Sequence, residues 1–134
     1  MSDRGDIVTL RIPRSSRELP VMRVVMGGMA SRLDVPLDRL DDVELAVETL
    51  LAEEPVDGHE LLLELAAVEG GLDVRLYGLL NRRVRAALVA TDPFEPCEGC
   101  LLDVRVMLES LVDAFSVVES SGGSYGVLME KRTS

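Results

Sequence analysis

The sequence predicts an α/β fold: a two-layer sandwich in which a mixed, mostly antiparallel sheet carries its helices on one face. Apolar residues alternate with polar ones in short stretches and recur every three or four residues in longer ones, as is typical of strands and helices respectively. Two glycine-rich turns each join neighbouring strands as a hairpin. Since hairpins pair their strands antiparallel, one helical layer on one sheet is the expected architecture. A chain of 134 residues is expected to form a single domain, 1–134.

The composition and charge of the chain exclude two classes of protein. Hydrophobic residues make up 47% of the chain and aromatic residues 3%, so aliphatic side chains and methionines must build the core. The 14 Lys and Arg are outnumbered by 24 Asp and Glu, and the net charge of −10 repels the phosphate backbone of nucleic acid. No apolar run approaches about 20 residues, and the first residues contain no signal-peptide core. We therefore expect a cytoplasmic protein that binds neither nucleic acid nor a membrane.

The first two elements are a strand and a helix. Residues 7–12 alternate in polarity and are followed by a proline, which indicates a half-buried strand. A Ser-x-x-Glu capping box beginning at Ser15 predicts the start of a helix, and apolar residues at helical spacing continue it to about residue 33. Gly27 and Gly28 lower the helix propensity of this segment, and we expect them to allow close packing of a neighbouring backbone.

The central helix is predicted over residues 41–54. Its apolar side chains fall on one face, and the aspartates at its start interact favourably with the helix dipole. The apolar positions are Leu40, Val43, Val47, Leu50 and Leu51. Pro55 ends the helix, and Thr49 and Glu53 lie one turn apart beside the apolar face. The functional interpretation depends on whether that flank has a chemical role.

The middle of the chain contains a hairpin and an ambiguous segment. Residues 60–68 and 72–77 predict two strands joined by a Glu-Gly-Gly turn at 69–71, where both glycines can take positive φ. Residues 79–90 fit either a helix or a strand, and we favour a short helix with outward-facing arginines. These arginines are Arg82, Arg83 and Arg85. The proline and glycine content of residues 91–100 predicts a loop.

The C-terminal part predicts a helix followed by a second hairpin. The helix is indicated by apolar residues at helical spacing, which are Leu101, Val104, Leu108, Leu111 and Phe115. Residues 115–120 and 125–131 then flank the Ser-Ser-Gly-Gly-Ser turn at 120–124. His59 begins a strand with no ligand or nucleophile pattern around it, so we expect it to be structural or exposed to solvent.

Two stretches of the chain are similar to one bacterial protein family. They read DIVTLRIPRSSRELPVMRVVMGGMASRLDVPLDRLDDVELAV, residues 6–47, and LESLVDAFSVVESSGGSYGVLMEKR, residues 108–132. With the order of elements, they resemble the anti-sigma factor serine kinases of partner-switching systems. These kinases belong to the GHKL ATPase superfamily, which also includes the ATPase domain of histidine kinases. The resemblance implies the histidine-kinase-like ATPase fold, and the two stretches cover about half of the chain.

The central helix departs from the family at the catalytic positions. In the family this helix carries a Glu that activates the attacking hydroxyl and, one turn later, an Asn that binds Mg²⁺. The alignment places Thr49 and Glu53 at these positions. A slip of one residue restores a carboxylate at Glu48 but leaves Ala52 in place of the metal ligand. No register supplies the Asn, because Asn81 is the only one in the chain.

The nucleotide-binding turns also depart from the family. Its Asp-x-Gly-x-Gly turn, whose Asp holds the adenine amino group, corresponds here to a segment with Gly78 but no Asp. Its glycine-rich phosphate turn aligns near Leu102 and Val104, whose branched side chains block close backbone approach. Phosphoryl transfer depends on positioning and on neutralisation of charge, so these losses together remove most of the catalysis. We therefore expect a degenerate, pseudokinase-like member with no catalytic residue, no ATP and no Mg²⁺.

The resemblance implies regulation of transcription through protein contacts. We expect a non-catalytic anti-sigma-type protein that binds a sigma factor or a sigma-like regulator, with a STAS-domain anti-anti-sigma factor as a second candidate partner. The alternative is an active serine/threonine kinase with a diverged ATP site. Arg23 corresponds to an arginine near the family's sigma-binding surface, and it fits equally well at the rim of a dimer. A homodimer through residues 7–12 and the first helix is expected, as in the resembling kinases.

The remaining candidate site is a Cys-x-x-Cys motif at Cys97 and Cys100. Structural zinc requires four ligands, and the chain adds only a distant histidine, so we expect no metal site. Two reduced cysteines in a cytoplasmic loop are the favoured interpretation. A redox pair is the alternative, because Cys100 would lie at a helix N-terminus, which lowers the pKa of a thiol. A redox-responsive interaction domain is therefore a third functional hypothesis.

Overall fold

The computed structural model describes residues 7–14, 19–55, 59–90 and 102–133. This part of the chain contains five strands and four helices, and a short 3₁₀ turn, Ser121–Gly123, connects the last two strands. In chain order the elements are β1 Ile7–Ile12, α1 Leu19–Leu33, α2 Leu37–Ala52, β2 Leu61–Val68, β3 Gly71–Leu79, α3 Arg82–Val89, α4 Leu102–Leu111, β4 Ala114–Glu119 and β5 Tyr125–Arg132. The predicted capping box at Ser15 and the predicted loop at 91–100 lie outside the described residues.

The five strands form one sheet in the order β1-β2-β3-β5-β4, and every neighbouring pair is antiparallel. The expectation of a mixed sheet was therefore wrong. Two hairpins, β2–β3 and β4–β5, account for the antiparallel pairing inside each half, and β5 then pairs with β3 to join the halves. Register follows the apolar pattern, since Leu63 lies opposite both Leu10 and Leu76.

One face of the sheet carries the hydrophobic core. Alternate strand residues are fully buried and form one cluster with the buried faces of the helices. Among the helices, α2 contributes the most described residues to this cluster, and these are Leu40, Val43, Ala46, Val47 and Leu50. The other strand positions, such as Leu62 and Tyr77, are only half-buried. The architecture is thus a two-layer α/β sandwich with helices on one face, as the periodicity predicted.

The bounds of α2 and α4 differ from the prediction. Helix α2 begins one turn early, at Leu37, where Pro36 is the N-cap and its carbonyl oxygen accepts from the amides of Arg39 and Leu40 at 3.1 Å. It ends at Ala52, before the proline that was expected to end it. Helix α4 ends at Leu111, and Phe115 lies in β4 with its ring packed against the core. Phe115 faces the core from a strand, and its spacing of four residues from Leu111 matches that of a helix by coincidence.

Residues 79–90, which fit either a helix or a strand by sequence, contain a short helix, the alternative that the sequence analysis favoured. Helix α3 begins after Asn81 and shows Arg82 and Arg83 to solvent, while Arg85 is half-buried and pairs with Glu119 of β4. In the β2–β3 turn, only Gly70 has positive φ, at 75°. Of the two glycines that can take positive φ, the turn therefore uses this freedom at one.

The two glycines of α1 do not mediate close packing. Gly27 and Gly28 are exposed, and a Cβ atom added to either would have no described neighbour within 4 Å. The expected close approach of another backbone is therefore wrong within the described chain. The glycines leave a flat, open strip on the outer side of α1.

Replacing either glycine with alanine is expected to raise the free energy of unfolding. Gly27→Ala and Gly28→Ala should each stabilise the protein by about 0.5–1 kcal/mol, because alanine loses less backbone entropy in a helix. Urea unfolding would measure the gain. Gly126→Ala is the opposing control, since its Cβ would lie 2.7 Å from the ring of Tyr77 and should destabilise. A loss of stability in the α1 variants would indicate that a second molecule packs on this strip.

A buried lysine connects three elements at one end of the core. Lys131 of β5 is the only lysine in the chain and is 7% exposed. Its Nζ donates to the carbonyl oxygen of Leu111 at 2.7 Å, at the C-terminus of α4. It also lies 2.9 Å from Oδ2 of Asp42 in α2. The ammonium group therefore satisfies a helix-end carbonyl and a carboxylate together.

Candidate functional site

The residues of α2 that align with the family's catalytic positions have other contacts. The Oγ1 of Thr49 donates to the carbonyl oxygen of Leu45 at 2.7 Å, a hydrogen bond within the helix. Glu53 is the C-cap of α2, and its side chain is exposed. In the slipped register, Glu48 pairs with an arginine of α1 and Ala52 faces solvent. The described contacts pair none of these residues with another, so Thr49, Glu53, Glu48 and Ala52 do not form a cluster.

The residues that align with the family's two nucleotide-binding turns are likewise part of the fold. Gly78 has φ +95° at a bulge of β3, and an added Cβ would lie 3.3 Å from Cδ2 of Leu61. Leu102 begins α4, and Val104 is 6% exposed within the core. Surface grooves of about 350, 280 and 370 Å³ are lined by described residues. None of these three includes Thr49, Glu53, Gly78 or Val104.

A buried ion pair lies beside Gly78. Arg14, just after β1, pairs with Glu54, just after α2, and their side chains are 4% and 1% exposed. Arg14 also donates from Nη2 to the carbonyl oxygen of Gly78. The Glu54 carboxylate accepts from the amide of Leu80 at 2.9 Å and from the amide of Asn81 at 2.9 Å. Only Nε of Arg14 has no hydrogen-bond partner among the buried side-chain atoms of this cluster.

Asn81 extends this network into α3 and β5. Its Oδ1 accepts from the amides of Arg83 and Val84 at 3.0 and 3.1 Å, which caps α3. Its Nδ2 donates to the carbonyl oxygen of Glu53, and its own carbonyl oxygen accepts from the hydroxyl of Tyr125 at 2.9 Å. Burial, and then the nearby charge of Glu54, raise the pKa of the Tyr125 hydroxyl, which therefore stays protonated.

This network joins the ends of β1, α2 and β3 to the start of α3. Apart from Nε of Arg14, its charged and polar groups are used by one another and by backbone amides and carbonyls, so the network stabilises the fold. Sequence reasoning missed both members of the ion pair. The only local signal was that Arg14 follows one proline and Glu54 precedes another.

Exposed apolar side chains lie on the same two helices as Arg23 and its partner Glu48. Arg23 is on α1 with its side chain 60% exposed, and Nη2 lies 2.7 Å from Oε1 of Glu48 on α2. Val21 and Val24 of α1 are 59% and 76% exposed, and Leu45 of α2 is 42% exposed. We call these five residues the α1–α2 surface. Exposed apolar groups next to a charge pair are typical of protein-binding surfaces.

Glu44 adds a crowded carboxylate beside this surface. Partial burial raises its pKa, the charges of Asp41 and Glu48 raise it further, and the charge of Arg23 lowers it. The carboxylates thus outnumber the arginine here, and the region keeps a negative field.

Replacing Glu44 with glutamine is expected to stabilise the protein at neutral pH. Because the folded-state pKa of Glu44 is raised, its ionised form is disfavoured in the folded state, and stability rises as pH falls through that pKa. Glu44→Gln should gain a few tenths of a kcal/mol at pH 7, about the size of exposed like-charge pairs on a helix. The gain should vanish below about pH 4, where carboxyls are protonated. Urea unfolding at several pH values would measure it, and a gain that persists at low pH would contradict this cause.

The remaining predicted positions provide no site in the described chain. His59 is exposed before β2. Cys97 and Cys100 lie outside the described residues, so their proposed redox pairing stays a prediction. Within the described ranges, no group of three or more His, Cys, Asp or Glu side chains is arranged to hold a metal ion. Among the same residues, no helix is long and apolar enough to cross a bilayer.

In comparisons with known proteins, no family model and no curated protein sequence matches the chain.

Proposed function

We propose that the protein is a cytoplasmic, non-catalytic regulatory module of the anti-sigma type, with the histidine-kinase-like ATPase fold of the GHKL superfamily. It binds a sigma factor or a sigma-like regulator, and a STAS-domain antagonist competes for it. The observation that carries the proposal is the α1–α2 surface, where α1 and α2 expose apolar side chains and are joined by the Arg23–Glu48 pair. The sequence resemblance supports the family, and the contacts of Thr49 and Gly78 within the fold support a protein that works without nucleotide.

Charge supports a basic target. The chain carries a net charge of −10, and sigma factors present basic surfaces to DNA. Opposite charges steer two proteins together and raise the association rate more than the final affinity. Binding should therefore weaken as salt rises, mainly through slower association. Arg23 would then act locally, at the centre of an apolar patch, rather than through the overall field.

The test is capture of partners from the native host by the tagged protein, with and without ATP and Mg²⁺. The proposal expects a transcription regulator in both samples in equal amount. For the isolated complex, Arg23→Glu should weaken binding by about tenfold or more, as for an arginine at the centre of an interface. Arg132→Glu is the matched control, since it makes the same charge change on an exposed residue at the end of β5. Recovery of no regulator, or recovery only with ATP, would defeat the proposal.

A second variant separates the position of Arg23 from its ion pair. Arg23→Glu combined with Glu48→Arg restores an ion pair between α1 and α2 with the charges exchanged. If Arg23 contacts the partner directly, the double variant binds as weakly as Arg23→Glu. Restored binding would show that the pair only holds the two helices together.

We also propose a homodimer through β1 and α1. The strand β1 lies at the edge of the sheet, and Ile7 on it is 51% exposed. Edge strands readily pair with another chain, and β1 has an open edge in the described sheet. Light scattering at tens of micromolar should report a dimer, and a monomer there would contradict this part of the proposal.

A further inference from the structure

The opposite edge of the sheet is formed by β4. Within the described chain, β5 is the only strand that pairs with it. Proteins commonly protect edge strands with lysine, proline or a bulge. The residues of β4 are Ala-Phe-Ser-Val-Val-Glu, and their pairing with β5 runs without a register shift. The strand therefore has none of these three protections.

The direction of the β4 amides follows from one hydrogen bond. The amide of Ser120 donates to the carbonyl oxygen of Ser124 at 3.0 Å, so this residue pair is a hydrogen-bonded one. In an antiparallel ladder such pairs alternate, and the amides of Ser116 and Val118 accordingly face β5. The amides and carbonyls of Phe115 and Val117 face the outer edge. They form a row that an additional strand can pair with.

Two grooves meet at the first residues of β4, one on each face of the sheet. On the helix face, a groove of about 370 Å³ is lined by Phe115 and by the charged residues Arg105, Glu109 and Asp113. On the open face, a groove of about 350 Å³ runs over Ala114 and Ser116 to Leu128, and its far side is lined by charged residues, which are Asp73, Arg75 and Glu130. The side chains of an added strand point alternately to the two faces, so successive residues would enter the two grooves.

The charges around the grooves indicate which kind of peptide segment could bind along the edge of β4. Glu109 is 53% exposed, although Arg105 binds one of its oxygens, and Asp113 lies beside it at the helix-face groove. A basic side chain fits beside these two carboxylates, and a short aliphatic side chain fits over Ala114 and Ser116 at the β4 end of the open-face groove. A second copy of this chain fits poorly, because β4–β4 pairing would bring Glu109 and Asp113 of one copy close to the same carboxylates of the other.

We propose that the outer edge of β4 binds an extended segment of a partner protein in which basic and apolar residues alternate. The segment joins the sheet as an additional strand, with main-chain hydrogen bonds to Phe115 and Val117 and its basic side chains towards Glu109. Recognition by strand addition combines main-chain affinity with side-chain pockets in this way. The site is separate from the α1–α2 surface, and its test does not depend on the proposed anti-sigma function.

The probe is a fluorescein-labelled hexapeptide in which lysine and leucine alternate, matched to the six residues of β4. Fluorescence anisotropy should show saturable binding, and a peptide with glutamate in place of lysine should not bind. Val117→Pro removes an outward amide without removing a hydrogen bond to β5, and it should weaken binding by about tenfold or more. Val117→Thr keeps the amide and nearly the same shape, so it should bind as the wild type does.

A charge variant tests the orientation of the segment. Glu109→Gln should weaken binding several-fold, whereas Glu60→Gln, the same change at an exposed residue before β2, should not. Equal effects of the two would indicate adsorption to an acidic protein and overturn the proposal.

Amide hydrogen exchange of the wild-type protein gives a test that needs no variant. At ten times the dissociation constant, exchange of the Phe115 and Val117 amides should slow by roughly tenfold. The amides of Ser116 and Val118 already face β5 and should change little. Slower exchange at other strands, no peptide binding up to millimolar concentration, or dimerisation through β4 without peptide would each overturn the proposal.

Discussion

Glu54→Gln should lower the free energy of unfolding by about 3–5 kcal/mol, since it leaves the guanidinium of Arg14 buried without a compensating charge. The glutamine can still accept a hydrogen bond from the amide of Leu80 or Asn81, so the loss isolates the charge. The melting temperature should fall by more than about 10 °C. Glu53→Gln is the matched control: it changes the exposed neighbouring carboxylate and should stay within about 0.5 kcal/mol of the wild type.

A double variant tests whether an unpaired buried charge causes the loss of stability in Glu54→Gln. Arg14→Met with Glu54→Gln removes both charges, so it should be more stable than Glu54→Gln alone, although it loses the hydrogen bond to Gly78. Denaturant unfolding of the wild type, the two single variants and the double variant completes the cycle. If the double variant is less stable than Glu54→Gln, an unpaired buried charge is not the cause of the lost stability.

Leu63→Ala should destabilise the protein by about 2–5 kcal/mol, because it opens a cavity in the centre of the core. Leu63 is 0% exposed and lies between Leu10 and Leu76 in the sheet. Its neighbour Leu62 points to the open face and is half-buried. Leu62→Ala is therefore the control, with an expected loss of less than about 1.5 kcal/mol.

This pair of variants also tests the architecture. In a two-layer sandwich only one face of β2 is covered by helices, so adjacent leucines must differ strongly in their contribution. Urea unfolding would give both values under the same conditions. Equal losses at Leu62 and Leu63 would mean that the open face is covered in solution, by a second molecule or by a part of the chain outside the described ranges.

Sequence periodicity predicted the local elements because each is specified by its own residues. The alternation over residues 7–12 and the double glycine before β3 are local signals, and both strands appear where expected. The error at Phe115 has the same origin, since a residue facing the core repeats the helical spacing whether or not the helix continues. The absence of a parallel pair among the described strands depends on how β3 meets β5, which no local pattern specifies.

The candidate sites show the limit of sequence reasoning more clearly. Arg14 and Glu54 are separated by 40 positions, and their pairing depends on where β1 and α2 end in space. Arg23 was identified, but its pairing with Glu48 was not, because the crossing of α1 and α2 decides it. The outward valines beside Arg23 could have been recognised from the helical period, since they lie off the face that carries Met22 and Met26.

The burial of Lys131 limits the covalent chemistry available to the folded protein. The chain has no other lysine, and the Nζ of this one is held by the carbonyl oxygen of Leu111 and the carboxylate of Asp42. Acylation or isopeptide conjugation needs a free, unprotonated ε-amino group that an enzyme can reach. Lysine-directed tagging would therefore label copies that have unfolded and leave folded copies unlabelled, which makes this single side chain a reporter of the folded state.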